Sequence, residues 1–188
     1  MKKISKILFF ACIALVTNYS HAQMSETETD QNIDYNGGFE FSKNNKPVNW
    51  LLYTAKTTKS GDFDILLDTG EYKAGNQSLH FNVRECSDKG GRFSPGFTQE
   101  IEAKPRDRYK ISYWVKNSNT DFVIKISGVS AFKKDSGPIN RSNQSYSDWK
   151  KFEHEYTIAN KMNRLRFELN ILKPGEFWID DIQINKVN

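Results

Sequence analysis

The spacing of the apolar residues constrains this chain most. From residue 78 onwards they recur at every second position, and no long stretch repeats them at the 3.6-residue period of a helix. Residues 78–84 (SLHFNVR) put Leu79, Phe81 and Val83 on one side, and 109–116 (YKISYWVK) put Tyr109, Ile111, Tyr113 and Val115 there. Residues 122–127 align Phe122, Ile124 and Ile126, and residues 152–158 align Phe152, His154, Tyr156 and Ile158. Residues 165–171 align Leu165, Phe167, Leu169 and Ile171, and 97–101 add a shorter strand. In the last strand, 178–184 (WIDDIQI), strict alternation places Trp178, Asp180, Ile182 and Ile184 together. Gly, Pro, Asn and Asp clusters separate these segments, as at Asp88-Lys89-Gly90-Gly91 and Lys173-Pro174-Gly175. Short alternating strands at this spacing imply an all-β fold, an antiparallel two-sheet sandwich or barrel.

The chain has 188 residues, of which 13% are aromatic, and this suits one domain with a real core. The formal charge of +4 overstates its basicity: without Lys2, Lys3 and Lys6, which lie in an N-terminal targeting segment, 24 basic residues face 23 acidic ones. That balance gives no electrostatic case for a nucleic-acid partner.

The targeting segment is residues 1–22. A positive KKISK is followed by an apolar run from Ile7 to Val16, too short to span a bilayer, then by Ser20 and Ala22 as small residues before a cleavage point. This reads as a signal peptide removed after Ala22, leaving a secreted or periplasmic protein with no membrane insertion. The rival is a lipid anchor on Cys12, favoured by Ala11 but opposed by Phe9, Phe10 and the apolar run beyond. Residues 23–35 are mostly polar and acidic and read as a disordered leader, and one domain fills 36–188. Cleavage leaves Cys86 as the single thiol, in a polar stretch without a neighbouring positive cluster, so it reads as a spectator.

Two features bear on function. Asp180 falls on the apolar face of the last strand, where a carboxylate is costly unless it reaches water, accepts backbone N–H bonds or binds a metal. Opposite the core positions lie Asn82, Arg84, Trp114, Arg166, Glu168 and Asn170. If their strands share one sheet, they form a sugar-binding surface, with an indole for pyranose C–H groups and planar polar groups for hydroxyls.

Five elements in order carry a resemblance: Asn36-Gly37-Gly38-Phe39-Glu40, Gly75-Asn76-Gln77-Ser78-Leu79, Phe97-Thr98-Gln99-Glu100-Ile101, residues 109–116, and Phe177-Trp178-Ile179-Asp180-Asp181-Ile182. Together they resemble the galactose-binding-like jelly rolls, above all carbohydrate-binding modules of the CenC type in families 4, 9 and 22, over about 36–184. The resemblance implies a jelly-roll β-sandwich and a glycan partner, a poly- or oligosaccharide. It also implies a structural Ca²⁺ held by the side chains of Glu40 and Asp180 and by backbone carbonyls near Gly38 and Asn76. Trp50 and Trp149 match positions that are structural in such modules, while Tyr53 and Tyr72 are loop-side contact candidates. The basic residues of the polar face tilt the glycan towards an acidic or sulfated one.

No nucleophile elbow, zinc-binding helix, phosphate loop or paired-Cys spacing occurs, so catalysis is not expected. The alternatives are an extracellular adhesion or protein-interaction module of the cell envelope and a small polysaccharide-degrading enzyme.

Overall fold

A computed structural model describes residues 35–58, 61–135 and 137–187. The expected signal peptide, Cys12 and most of the expected leader lie outside the described residues. Tyr35, placed in that leader by its sequence, belongs to the fold: it is buried, and its hydroxyl accepts the Ile184 N–H at 2.7 Å.

The strands are β1 (Ser42–Lys43), β2 (Lys46–Pro47), β3 (Leu51–Tyr53), β4 (Asp62–Asp68), β5 (Ser78–Glu85), β6 (Gly96–Glu102), β7 (Arg108–Ser118) and β8 (Phe122–Val129). They continue with β9 (Ile139–Ser142), β10 (Tyr146–Thr157), β11 (Arg164–Ile171) and β12 (Gly175–Val187). One helical turn, α1 (Ala55–Thr58), and a 3₁₀ turn (Gly91–Phe93) complete the described elements. Sheet I has the order β10-β7-β12-β5-β4 and sheet II the order β3-β6-β11-β8-β9; β1 and β2 form a small separate hairpin. All described strand pairs are antiparallel. The result is the expected two-sheet sandwich.

The alternating residues fill the space between the sheets. Phe81, Phe97, Phe122, Phe167 and Phe177 are fully buried, and Phe97 stands edge-on to Trp50 with ring centroids 4.7 Å apart. Edge-to-face rings add about 0.5–1.5 kcal/mol per pair beyond the area they bury. Trp50 also donates its indole N–H to the Asn36 carbonyl at 2.9 Å, which confirms its structural reading.

The expected segments extend to longer strands, and β3, β4 and β9 join them. In β4, Phe63, Ile65 and Leu67 alternate with Asp62, Asp64, Leu66 and Asp68. The three acids mask the strand signal, because aspartate is disfavoured in strands.

The last strand departs from strict alternation. The pairing of β12 with β7 shifts between Asp180 and Gln183, and Asp181 takes a left-handed φ of 47°. This bulge adds a residue and reverses the faces. Before it, Phe177 and Ile179 point to the core, while Trp178 pairs with outward His80 and Lys116, and Asp180 with outward Trp114. After it, Ile182 and Ile184 are buried. Trp178 and Asp180 therefore do not share a face with Ile182 and Ile184. The Ile182 N–H donates to the Gly37 carbonyl at 3.0 Å, joining the opening segment to the bulge. A Cβ on Gly37 would overlap the Ile182 carbonyl oxygen, so the glycine is required there.

Candidate functional site

The six polar-face residues do not meet on one surface. Asn82 and Arg84 lie on β5 and Trp114 on β7, in sheet I; Arg166, Glu168 and Asn170 lie on β11, in sheet II. Alternation alone shows which side of a strand a residue takes, and says nothing of which sheet the strand joins.

On sheet I the aromatic side chains are already engaged. The Lys73 ammonium sits 4.1 Å from the Trp114 ring centroid and caps it. Trp178 stacks on His80 at 4.3 Å and donates its indole N–H to Asp68 at 2.9 Å. His80 also meets the Glu176 carboxylate. Glu71 takes the Trp149 indole N–H at 2.8 Å and the Lys116 ammonium at 2.6 Å. Trp149 thus anchors the loop between β4 and β5, in line with its expected role. Arg84 is held by Asp62 and Asp64 near the sheet's edge.

That loop is also where the two acids of the expected calcium site converge. Asp180 is fully buried beneath it, and Oδ2 accepts the Lys73 and Ala74 N–H groups at 2.8 and 2.9 Å. Its Oδ1 accepts the Asp181 N–H at 2.6 Å. Burial pushes the Asp180 carboxyl up to about 6, against the pull of these bonds. Glu40 Oε1 accepts the Asn76 and Gln77 N–H groups at 2.9 and 3.3 Å, and Oε2 accepts the Asn76 side-chain amide at 3.2 Å. Both carboxylates therefore clasp residues 73–77. Among the described residues no group of three or more His, Cys, Asp or Glu gathers as a metal cluster. The acids fit a hard cation by donor type, with a lone pair left on Glu40 Oε2 and on Asp180 Oδ1; the rest of a shell would come from carbonyls.

Sheet II presents a different outer face. Its register aligns three rows across the strands. One runs Leu51, Thr98, Glu168, Lys125, Ile139, from edge to edge. A second runs Tyr53, Gly96, Asn170, Val123, Arg141, and a third Glu100, Arg166, Ser127. Strands about 4.8 Å apart make the five-residue rows about 19 Å long. Leu51 and Ile139 are exposed apolar rims on the two edge strands. Between them the floor is polar: Thr98 and Glu168 are buried, and Arg166 is half-buried. Tyr53 reaches Glu168 Oε1 with its hydroxyl at 3.1 Å, a contact no local pattern could reveal. Its side chain is buried in the floor, whereas Tyr72 is exposed. Arg166 donates from Nε to Glu100 at 2.8 Å and also from Nη2, while Arg164 meets the other Glu100 oxygen at 2.6 Å.

Asn170 has a structural use. It is fully buried, accepts the Gly91 N–H at 2.8 Å and donates to the Gly91 carbonyl at 2.9 Å. This pins the 3₁₀ turn over one end of the face, and the turn carries exposed Phe93. An open cleft of about 360 Å³ lies at the β3–β6 side, lined by Asn49, Leu51, Thr98, Gln99 and Glu100.

The groups with catalytic potential are tied elsewhere. His154 bonds to the Tyr113 hydroxyl at 2.9 Å, and burial lowers its pKa. Burial, then Asp88 and Glu85, push the Cys86 thiol up to about 11, so it is no nucleophile at neutral pH.

No protein-family model matches this chain, and no curated protein does. Solved structures do. A family 4 carbohydrate-binding module matches with a TM-score of 0.58 at 16% identity, over 81% of this chain and 98% of the other. The CBM22-1 xylan-binding domain of Paenibacillus barcinonensis Xyn10C matches at 0.56 and 15%, over 81% and 92%. The enzymatically active domain of bacteriophage CBA120 tailspike protein 4 matches at 0.62 and 14%, over 81% of this chain but 21% of that one. The fold is that of the jelly-roll carbohydrate-binding modules.

Proposed function

We propose that this is a secreted, non-catalytic carbohydrate-binding domain, and that a poly- or oligosaccharide lies across the outer face of sheet II. The observation that carries the reading is the row from Leu51 to Ile139: a polar floor with Thr98, Glu168 and Lys125 between two apolar rims. Planar polar groups such as Glu168 and Arg166 suit paired hydroxyls, while Leu51, Ile139 and exposed Phe93 offer apolar surface to pyranose C–H groups. Sheet I is the weaker candidate, because Trp114 is capped by Lys73 and Trp178 by His80. The xylan-binding domain of the same fold supports the glycan class. The hydrogen bond that holds His154 and the raised pKa of the Cys86 thiol support a reading without catalysis.

The domain also takes Ca²⁺ in this reading, where Glu40 and Asp180 clasp residues 73–77, with carbonyls near Gly38 and Asn76. The ion would tie the opening segment and the closing strand to that loop.

Affinity gel electrophoresis against a glycan panel tests the proposal. Arg166→Met should abolish retardation with the melting curve intact, and Trp114→Ala should leave it. The opposite pattern would move the site to sheet I, and no retardation by any glycan would overturn the function.

A further inference from the structure

We infer that the glycan is anionic, its carboxylate or sulfate groups met by a diagonal of three cations: Arg166, Lys125 and Arg141. This rests on the reading of sheet II as the glycan face. The register sets the diagonal. Arg166 on β11 stands opposite Ser127, Lys125 on β8 stands opposite Glu168 and Ile139, and Arg141 on β9 stands opposite Val123. The three side chains thus step across three adjacent strands, one row at a time, on the outer face. Diagonal neighbours on paired strands are roughly 7–8 Å apart, so the run covers about 15 Å.

Each cation has unspent donors. Among the described residues, neither Lys125 nor Arg141 makes an ion pair or a side-chain hydrogen bond. Lys125 is half-buried and Arg141 exposed. Arg166 uses Nε and Nη2 on Glu100, leaving Nη1 free. Glu100 also serves Arg164, so two guanidinium groups share one carboxylate and the cluster keeps a positive charge.

The nearest acid is turned away. Glu168 lies directly opposite Lys125, yet its carboxylate takes the Tyr53 hydroxyl on the other side, and no Glu168–Lys125 ion pair forms. Asp121 lines a shallow cavity of about 320 Å³ with Arg141, Ser142 and Asn143, again without an ion pair to Arg141. A neutral glycan has no use for three cations in a line, two of them unpaired and the third with a free Nη1. A chain of regularly placed anions does, because guanidinium and ammonium groups make their strongest hydrogen bonds to charged oxygens.

Calorimetric titration with polygalacturonate, its fully methyl-esterified form and dextran sulfate tests this. A charged polymer should bind at least about tenfold more tightly than the neutral ester, an advantage that fades at high salt. The tighter of the two charged polymers identifies carboxylate or sulfate as the group recognised. The double variant Lys125→Met with Arg141→Met should lose that advantage, so that acid and ester bind alike, at an unchanged melting temperature. Lys110→Met, on sheet I, should change neither affinity. Equal binding of acid and ester, or polyanion binding untouched by the double variant, would overturn the anionic assignment and leave the glycan face standing. No binding of any polymer would overturn both.

Discussion

Tyr53 donates its hydroxyl hydrogen to Glu168 at 3.1 Å, from β3 across β6 to β11. The row between Tyr53 and Asn170 carries Gly96, so no side chain blocks the crossing. Burial and then the Glu168 charge push the phenol up to about 12, and it stays a donor at any ordinary pH. The tyrosine therefore decides where the acid points, and with it whether Lys125 is free.

Tyr53→Phe removes that hydrogen bond and releases Glu168 to pair with Lys125 opposite. Polyanion affinity should fall several-fold, while Tyr53→Phe combined with Glu168→Gln recovers it. Titration of both variants checks this, and unchanged affinity in the single variant would show that Tyr53 does not govern the acid.

Asn170→Ala removes both bonds to Gly91 from a fully buried site. Leaving those backbone groups unpaired costs about 1–3 kcal/mol, or a melting point lower by roughly 2–10 °C for a domain of this size. Asn170→Asp keeps only the acceptor role towards the Gly91 N–H and should fall between the two. Differential scanning calorimetry checks the order.

His154 makes stability fall on acidification. The Tyr113 hydroxyl accepts from the Asn140 amide at 3.0 Å, so its own hydrogen can go to His154 Nε2, an acceptor only in the neutral ring. Burial lowers the folded pKa below the ordinary value. The contribution is complete above about 6.5, the unfolded value, and is lost as pH falls through the lower folded value. Urea midpoints measured from neutral to acid pH should decline, and His154→Phe should flatten the decline. An equal slope in the variant would assign it to other groups.

A chelator should lower the melting temperature of the purified protein. A ligand at a hundredfold its Kd stabilises by about 2.7 kcal/mol, which corresponds to roughly 5–10 °C here. Glu40→Gln should abolish the response to added Ca²⁺. A melting curve indifferent to chelator would mean that the amide bonds to Glu40 and Asp180 close the junction unaided.

Much of this was legible in the residues. The alternation of Leu79, Phe81 and Val83, and of Tyr109 to Val115, marks strands because a pleated chain turns successive side chains to opposite faces. Asn36-Gly37-Gly38-Phe39-Glu40 was recognisable because its chemistry is local. The Asn36 side chain bonds Phe41 and Val48, holding the loop that brings Trp50 into the core. Asp180 stands out in the sequence as an acid that needs partners, although strict alternation puts it on the wrong face.

The departure from alternation has a physical cause. Asp181 carries no local mark of a bulge, and its left-handed turn is held by Gly37, Tyr35 and the β7 register, all distant in sequence. The sugar face failed for a related reason. Asn82, Trp114 and Arg166 each face outward on their own strands, but strand partnership is settled by packing between the layers.

The amino-acid order alone determined strands β5 to β8 and β10 to β12 and the buried alternation within most of them, since each depends on neighbours within a few residues. Only the tertiary structure decided which strands share a sheet, that Lys73 covers Trp114, and that Tyr53 turns Glu168 away from Lys125. Those outcomes depend on side chains brought together across tens of residues, where the free energy of packing, and no local preference, selects the arrangement.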